Sequence, residues 1–229
     1  MLKSIKQNGW MYSIAIVFNR LVPERLFRMR RFVIYRIAVE KHSGVQSDGS
    51  TAESSVAIRR CKNQADVAAV EQITYFQKSN ASGDAFAYGV KLEDQMAAGM
   101  WAATESFDEN ELGVRIRLSE NQTWLCAALV PKEFRRRGLY SKLISFTIAD
   151  MTERGFGDQL VAVNPDNIGS NRIHQSLSEE TVGHVLAIRF LKITGCWTWG
   201  KIKKDSTISW NSSSRPVEVR CESSQLGQT

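Results

Sequence analysis

The chain has little of what marks a metal-binding, secreted or membrane-spanning protein. Its cysteines number four, Cys61, Cys126, Cys196 and Cys221, with no CxxC pair and no close histidine partner. That argues against a zinc site and a disulfide scaffold, and it suits a reducing, cytoplasmic compartment. The apolar run of the N-terminal region, "WMYSIAIVF", falls far short of the roughly 18–20 residues that span a bilayer. "NRLVPERLFRMRR" follows it, without the small-residue cleavage pattern of a secretory signal. The body of the chain also lacks an excess of positive charge. Residues 1–41 hold nine Lys and Arg against two Glu, whereas the other 188 residues hold 21 basic and 22 acidic groups. A nucleic-acid-binding domain needs its basic face on the body, so no nucleic-acid partner is expected.

What is present is a globular composition, with 43% hydrophobic and 24% charged residues. Residues 1–41 read as a basic amphipathic arm, a helix plus a strand. Its "LFRMRRFVIYRI" suits packing on the body with solvated arginines, the reading preferred here, or peripheral contact with an anionic membrane. Residues 42–55, rich in Ser and Gly, read as a linker. Residues 204–229 lack an apolar period and are expected to form a disordered tail.

Residues 56–203 read as one unit. "SVAIRR" suggests a strand and "NQADVAAVEQITYFQK" a helix, with Ala65, Val67, Val70 and Ile73 at helical spacing. "DAFAYGVKLE" and "DQMAAGMWAATES" suggest a hairpin turning at Glu93-Asp94, followed by a polar loop and then the apolar run Trp124 to Val130. After Gly138 the period becomes helical, with Leu139, Leu143, Ile144, Ile148 and Met151 on one stripe and Arg154-Gly155 closing it. "QLVAVN" reads as a buried strand, residues 169–177 as a helix opened by Asp166 and Asn167, and "VGHVLAIRFLK" and "CWTWGKIKK" as two more strands. The expected class is mixed α/β.

The most informative stretch is "VPKEFRRRGLY", residues 130–140. A strand that turns into a helix through a glycine presents unpartnered first-turn N–H groups at the positive end of the helix dipole. Gly138 lets the backbone approach a ligand, and Arg135, Arg136 and Arg137 add charge at the rim. A pyrophosphate or similar anion is expected there. The spacing is neither GxxxxGK[ST] nor GxGxxG, which disfavours a nucleoside triphosphatase and a dinucleotide enzyme.

This stretch resembles the coenzyme A loop of the GNAT acyltransferases. Arg135-Arg136-Arg137-Gly138-Leu139 match the loop, and Tyr140 departs from it where a small residue is usual. A second match follows: "VNPDNIGSNRIHQSL" places Asn167, Ser170 and His174 where the family often has Asn, a small residue and Tyr. The resemblance implies a GNAT-like fold, a central mixed, mostly antiparallel sheet flanked by helices, over residues 56–203. It implies a transferase that moves an acetyl or other acyl group from the coenzyme A thioester to an amine by direct attack, with acetyl-CoA as co-substrate and no metal. Backbone near Leu129 and Val130 would hold the pantetheine arm, and amides from Arg137 to Tyr140 the pyrophosphate. His174 would protonate the leaving thiolate in place of the usual Tyr. Ser178-Glu179 replace the usual Gly-Phe after that helix.

Other residues are read as structural. His184 is expected as a satisfied core histidine and Trp197 and Trp199 as packing. Cys126 is not expected to be a nucleophile, and no general base is named. Two rivals remain: a coenzyme A-binding sensor without turnover, and an interaction protein acting at a membrane through its arm.

Overall fold

The computed structural model describes residues 21–23, 26–39, 56–76, 80–93 and 95–223. Most of the expected arm, the linker and Asp94 lie outside the described residues. Two sheets carry the fold. The large one has nine strands, in the order Ile208–Ser209 (β13), Ile193–Gly200 (β11), Ser178–Phe190 (β10), Phe27–Ile37 (β1), Asp158–Val163 (β9), Gln122–Leu129 (β8), Gln95–Ala103 (β5), Ala85–Leu92 (β4) and Val56–Arg60 (β2). Every neighbouring pair in it is antiparallel except β8 and β9. The small sheet has five, in the order Ile202–Lys204 (β12), Val217–Cys221 (β14), Val114–Arg117 (β7), Ser106–Glu109 (β6) and Ala81–Ser82 (β3). Helices Gln64–Thr74 (α1), Leu139–Glu153 (α2) and Ile168–Leu177 (α3) complete the α/β arrangement.

The helices follow their sequence signals. Asn63 caps α1 by accepting the Asp66 amide at 2.7 Å, and Tyr75, left-handed at φ 55°, ends it. The α2 stripe Leu139, Leu143, Ile144, Ile148 and Met151 is buried as its spacing demands. Each such side chain contributes about 1.5–3 kcal/mol relative to exposure. Gly155, at φ 92°, closes that helix. Asn167 caps α3 by accepting the Ser170 amide at 3.1 Å.

The layers are distinct. On one face of the large sheet α2 packs over Tyr35, Leu125 and Val161. On the other the small sheet covers Ile34, Trp124 and Leu160 with Val114, Val217 and Val219. α1 lies on that second face, over the β4–β5 hairpin, where Trp101 Nε1 donates to Thr74 Oγ1 at 3.1 Å.

Three expectations are corrected. The strand of the basic arm does pack on the body, as preferred, but it belongs to the same unit as residues 56–203 and its arginines are not all solvated. β1 is an inner member of the large sheet, paired with β9 and β10, and its second half is buried on both faces. Its arginines obscured this. Arg36 is buried and paired with Asp158 at 2.7 Å and with Glu180, while Arg28 and Arg30 pair with Glu111. The tail beyond Lys204 is ordered at least to Ser223: β14 is inserted between β12 and β7, with Val217, Val219 and Cys221 buried. The alternation in "VEVRC" is a half-buried strand pattern too short to stand out among the serines. The polar loop after the hairpin is the β6–β7 hairpin, closed by an Asp108–Arg115 pair at 2.5 Å.

Candidate active site

β8 and β9 run side by side only from Gln122–Asp158 to Leu125–Val161, and β8 then continues alone to Leu129. On its other edge β8 keeps its ladder with β5, through a bulge. Trp101 faces Cys126 and Gly99 faces Leu129, so Ala127 and Ala128 share one partner position, and Ala127 sits at φ 49°. A bulge bends and twists its strand, and here it accompanies the departure of β8 from β9. The result is a seam in the sheet. Backbone amides and carbonyls of residues 126–129 on the β9 side face it without a strand partner. An extended ligand carrying amides can pair with them as a strand would.

The seam leads to the arginine turn. A short 3₁₀ segment, Lys132–Phe134, precedes it, and Arg135 Nε donates to the Val130 carbonyl at 3.0 Å. Arg136 is left-handed at φ 66° and Gly138 at φ 69°. Left-handed residues around a helix start turn successive N–H groups inward, the geometry of an anion nest. Gly138 is the N-cap of α2 and has no side chain to satisfy the first-turn amides, and no acidic residue lies in that turn. Among the described residues, a Cβ placed on Gly138 would meet nothing within 4 Å, so they leave space above the amides open. Arg135, Arg136 and Arg137 are exposed around it, Arg137 resting 5.9 Å over the Phe134 ring. The site can accept a polyanion. Leu139 turns its side chain into the core, which leaves only its amide for a ligand.

Two residues that depart from the family pattern meet here. Tyr140 Oη lies 2.8 Å from His174 Nε2. His174 Nδ1 lies 2.8 Å from the Ser170 carbonyl, which can only accept, so Nδ1 carries the proton and Nε2 accepts from the Tyr140 hydroxyl. His174 is only 2% exposed, and burial holds its pKa below the ordinary value despite that carbonyl. Its resting form near neutral pH is therefore the neutral ring, not the imidazolium expected as an acid. Burial pushes the Tyr140 hydroxyl pKa up, so it keeps its proton. Asn167 and Ser170 serve this arrangement from α3: Asn167 caps the helix, and the Ser170 Oγ stands 3.2 Å from His174 Nδ1. Neither side chain is seen to join the arginine turn.

Three other readings resolve plainly. Burial raises the Cys126 pKa and keeps it a thiol, a poor nucleophile. His184 is half-buried, and its Nδ1 has no hydrogen-bond partner among the described residues, so it is not the satisfied core histidine expected. Trp197 and Trp199 are exposed at 38% and 52%, where packing was expected.

The sequence gives no warning of what lies behind the seam. Between the two sheets is a cavity of about 150 Å³. It reaches Cys126, Ala127 and Ala162, where β8 and β9 part, and extends under Phe32, Val114 and Ile116. Among the described residues one carboxyl lines it, that of Glu109 on β6. Only the alternation across "SFDE" could have pointed Glu109 inward beside Phe107.

A family model described as the acetyltransferase (GNAT) family matches residues 57–178, more than half of the chain. The chain belongs to the GNAT acetyltransferase family. The match contains the seam, the arginine turn and α3. It leaves out β1 and all but the first residue of β10, so the GNAT segment is completed here by strands from both sides of it. A search of curated proteins finds no match. Solved structures with a similar fold include a GNAT-family protein from Novosphingobium aromaticivorans, at 16% identity and TM-score 0.45 over 71% of this chain and 60% of that one. A GCN5-related N-acetyltransferase from Kribbella flavida is 13% identical, at TM-score 0.43 over 76% of this chain and 60% of that one. An aminoglycoside acetyltransferase from an uncultured soil metagenomic sample is 16% identical, at TM-score 0.41 over 56% of this chain and 92% of that one. The chain thus spans about 60% of the length of the first two.

Proposed function

We propose that this chain is a coenzyme A-dependent N-acetyltransferase that transfers an acetyl group to an amine by direct attack. The observation that carries the reading is the continuity of the site: the β8–β9 seam runs into a turn that heads an uncapped helix. The seam is suited to the amides of a pantetheine arm, along Leu129 and Val130. The open amides of Arg137, Gly138, Leu139 and Tyr140 are suited to the pyrophosphate, with Arg135 and Arg136 at its rim. Asn167 and Ser170 act indirectly, by building α3.

Catalysis then rests on positioning and on stabilising the thioester oxygen with β8 amides. The amine lone pair attacks the carbonyl carbon, the C–N bond forms and the C–S bond breaks. The leaving thiolate takes its proton from the Tyr140 hydroxyl, which at rest donates to His174 Nε2 and must turn from it to the sulfur as negative charge develops there. His174 is therefore a positioning residue, and the acid role passes to the tyrosine beside it. The free thiols suit a cytoplasmic setting. No described helix is long and apolar enough to cross a membrane.

The test is turnover. Purified full-length protein with acetyl-CoA and a panel of amines should release free coenzyme A thiol in proportion to acetylated amine. Tight binding of acetyl-CoA with no acetylated product from any amine class would favour a sensor instead.

A further inference from the structure

The cavity behind the seam has the composition of a binding site. Its walls are aliphatic and aromatic, from Phe32 and Ile34 on β1, Phe107 on β6, Ile116 on β7 and Trp124 on β8. A dry apolar cavity of about 150 Å³ holds a benzene-sized guest. It lies on the face of the large sheet away from α2, and it touches the seam where β8 leaves β9. A ligand lying in the seam and a second ligand in the cavity would meet at Cys126 and Ala127.

Glu109 is the exception in that wall. Its side chain makes no hydrogen bond and no ion pair among the described residues. The two guanidiniums nearest to it, Arg28 and Arg30 of β1, are engaged by Glu111. A carboxylate facing an apolar cavity without a partner is unfavourable unless a cation arrives. The groups that face Glu109 are those two arginines, Glu111 in the β6–β7 turn and Cys126 on β8. Desolvation, the largest effect, and Glu111 raise its pKa, while the arginines lower it less, so the balance lies above the ordinary 4.5.

We infer that this cavity takes the acceptor: an amine borne on a small apolar body, aromatic or short-chain aliphatic, with Glu109 receiving the ammonium group and taking up its proton. This rests on the acetyltransferase reading above. The ammonium gives one proton to the Glu109 carboxylate and becomes a nucleophile. As C–N forms and C–S breaks, the nitrogen loses a second proton to solvent and the thiolate gains one from Tyr140. Tyr140 and Glu109 return to their starting forms by taking a proton from solvent and giving one to it. One proton is released in net to solvent for each amide formed. The small sheet, which supplies Glu109, thereby selects the acceptor.

The experiment compares benzylamine, phenethylamine and hexylamine with lysine and spermidine as acceptors, alongside calorimetric binding of acetyl-CoA. The apolar amines should be acetylated with at least 10-fold higher kcat/KM than the polar ones. Ala162→Leu, and Val114→Leu from the opposite wall, should raise the KM of phenethylamine several-fold and leave acetyl-CoA affinity unchanged; thermal melts show which of the two folds. Wild-type kcat should rise with pH as Glu109 loses its proton, and Glu109→Gln should lower kcat about 100-fold and remove that rise.

Stability supplies a readout that a merely structural role would reverse. A carboxyl whose folded pKa is raised disfavours folding as pH rises through that pKa, and has no such effect below the unfolded value. Glu109→Gln should therefore raise Tm at pH 8 and leave it unchanged near pH 4. Preference for spermidine or lysine, or unchanged kcat and pH profile in Glu109→Gln, would overturn the inference while leaving the acetyltransferase reading intact. Failure to bind acetyl-CoA at all would remove both.

Discussion

Tyr140 and His174 are two departures from the resemblance that meet in space, and in the proposed function they act as one unit. Each departs from the residue type usual at its position, and they share a 2.8 Å hydrogen bond. A sequence reading treats positions 140 and 174 independently and has no means to see the pair. Tyr140→Phe keeps the ring in its packing and removes only the transferable proton. It should lower kcat by about 10²-fold, a typical contribution of a positioned acid, without changing acetyl-CoA affinity in calorimetry. His174→Asn should lower kcat less than Tyr140→Phe does, because it frees the hydroxyl without deleting it. Equal activity of Tyr140→Phe and wild type would place the acid elsewhere. The helix start at Gly138 and the exposed arginines before it were legible from sequence because they are local, a glycine and three charges; the ligand assigned to them belongs to the proposed function. Glu109 was not, because its meaning depends on which sheet it faces.

At the scale of elements, the seam needs a closed end as well as an open one. Asp158 lies at the first β8–β9 pair and gathers neighbouring strands. Arg36 of β1 reaches it at 2.7 Å, and Gln122 Nε2 of β8 donates to it at 2.9 Å. Arg36 extends the cluster to Glu180 of β10 and to the Glu222 carbonyl. Arg36 and Asp158 are 3% and 0% exposed; Arg36 keeps Glu180 if Asp158 is neutralised, but removing Arg36 strands the buried Asp158 carboxylate. Arg36→Met should therefore cost about 3–5 kcal/mol in denaturant unfolding. A cost below 1 kcal/mol would mean the cluster is not what holds the seam's closed end. The elements that periodicity resolves, α2 with its buried stripe and β9 with its continuous apolar run, were legible in the sequence. β1 was not. Arginines on an inner strand look solvated until their partners, distant in sequence, are known.

At the scale of the whole molecule, the fold closes by borrowing strands from both ends of the described chain. β1 precedes the matched GNAT segment, and β12 and β14 follow it. The serine-rich composition around β14 concealed a strand that lies between β12 and β7. Ending the chain after Lys204 should therefore do more than trim a tail. It removes one of the two strand partners of β7, uncovers Val114 and Ile116, and opens the cavity that Glu109 lines. The truncated protein should lose several kcal/mol of stability and bind a dye for exposed apolar surface, measured by denaturant titration and fluorescence. An unchanged unfolding midpoint would restore the disordered-tail reading.

The central claim is that the turn at Gly138 seats the pyrophosphate of coenzyme A. Calorimetric titration of acetyl-CoA and of coenzyme A into wild type and Gly138→Asp tests it most directly. The substitution has room, since a Cβ there meets nothing within 4 Å, and aspartate is among the residues that tolerate a left-handed φ. An aspartate at that N-cap is also able to bond the first-turn amides that the account leaves for the ligand. Wild type should bind with micromolar affinity, and the variant, melting at nearly the same temperature, should not bind. Equal binding to both proteins, or none to wild type, would contradict it.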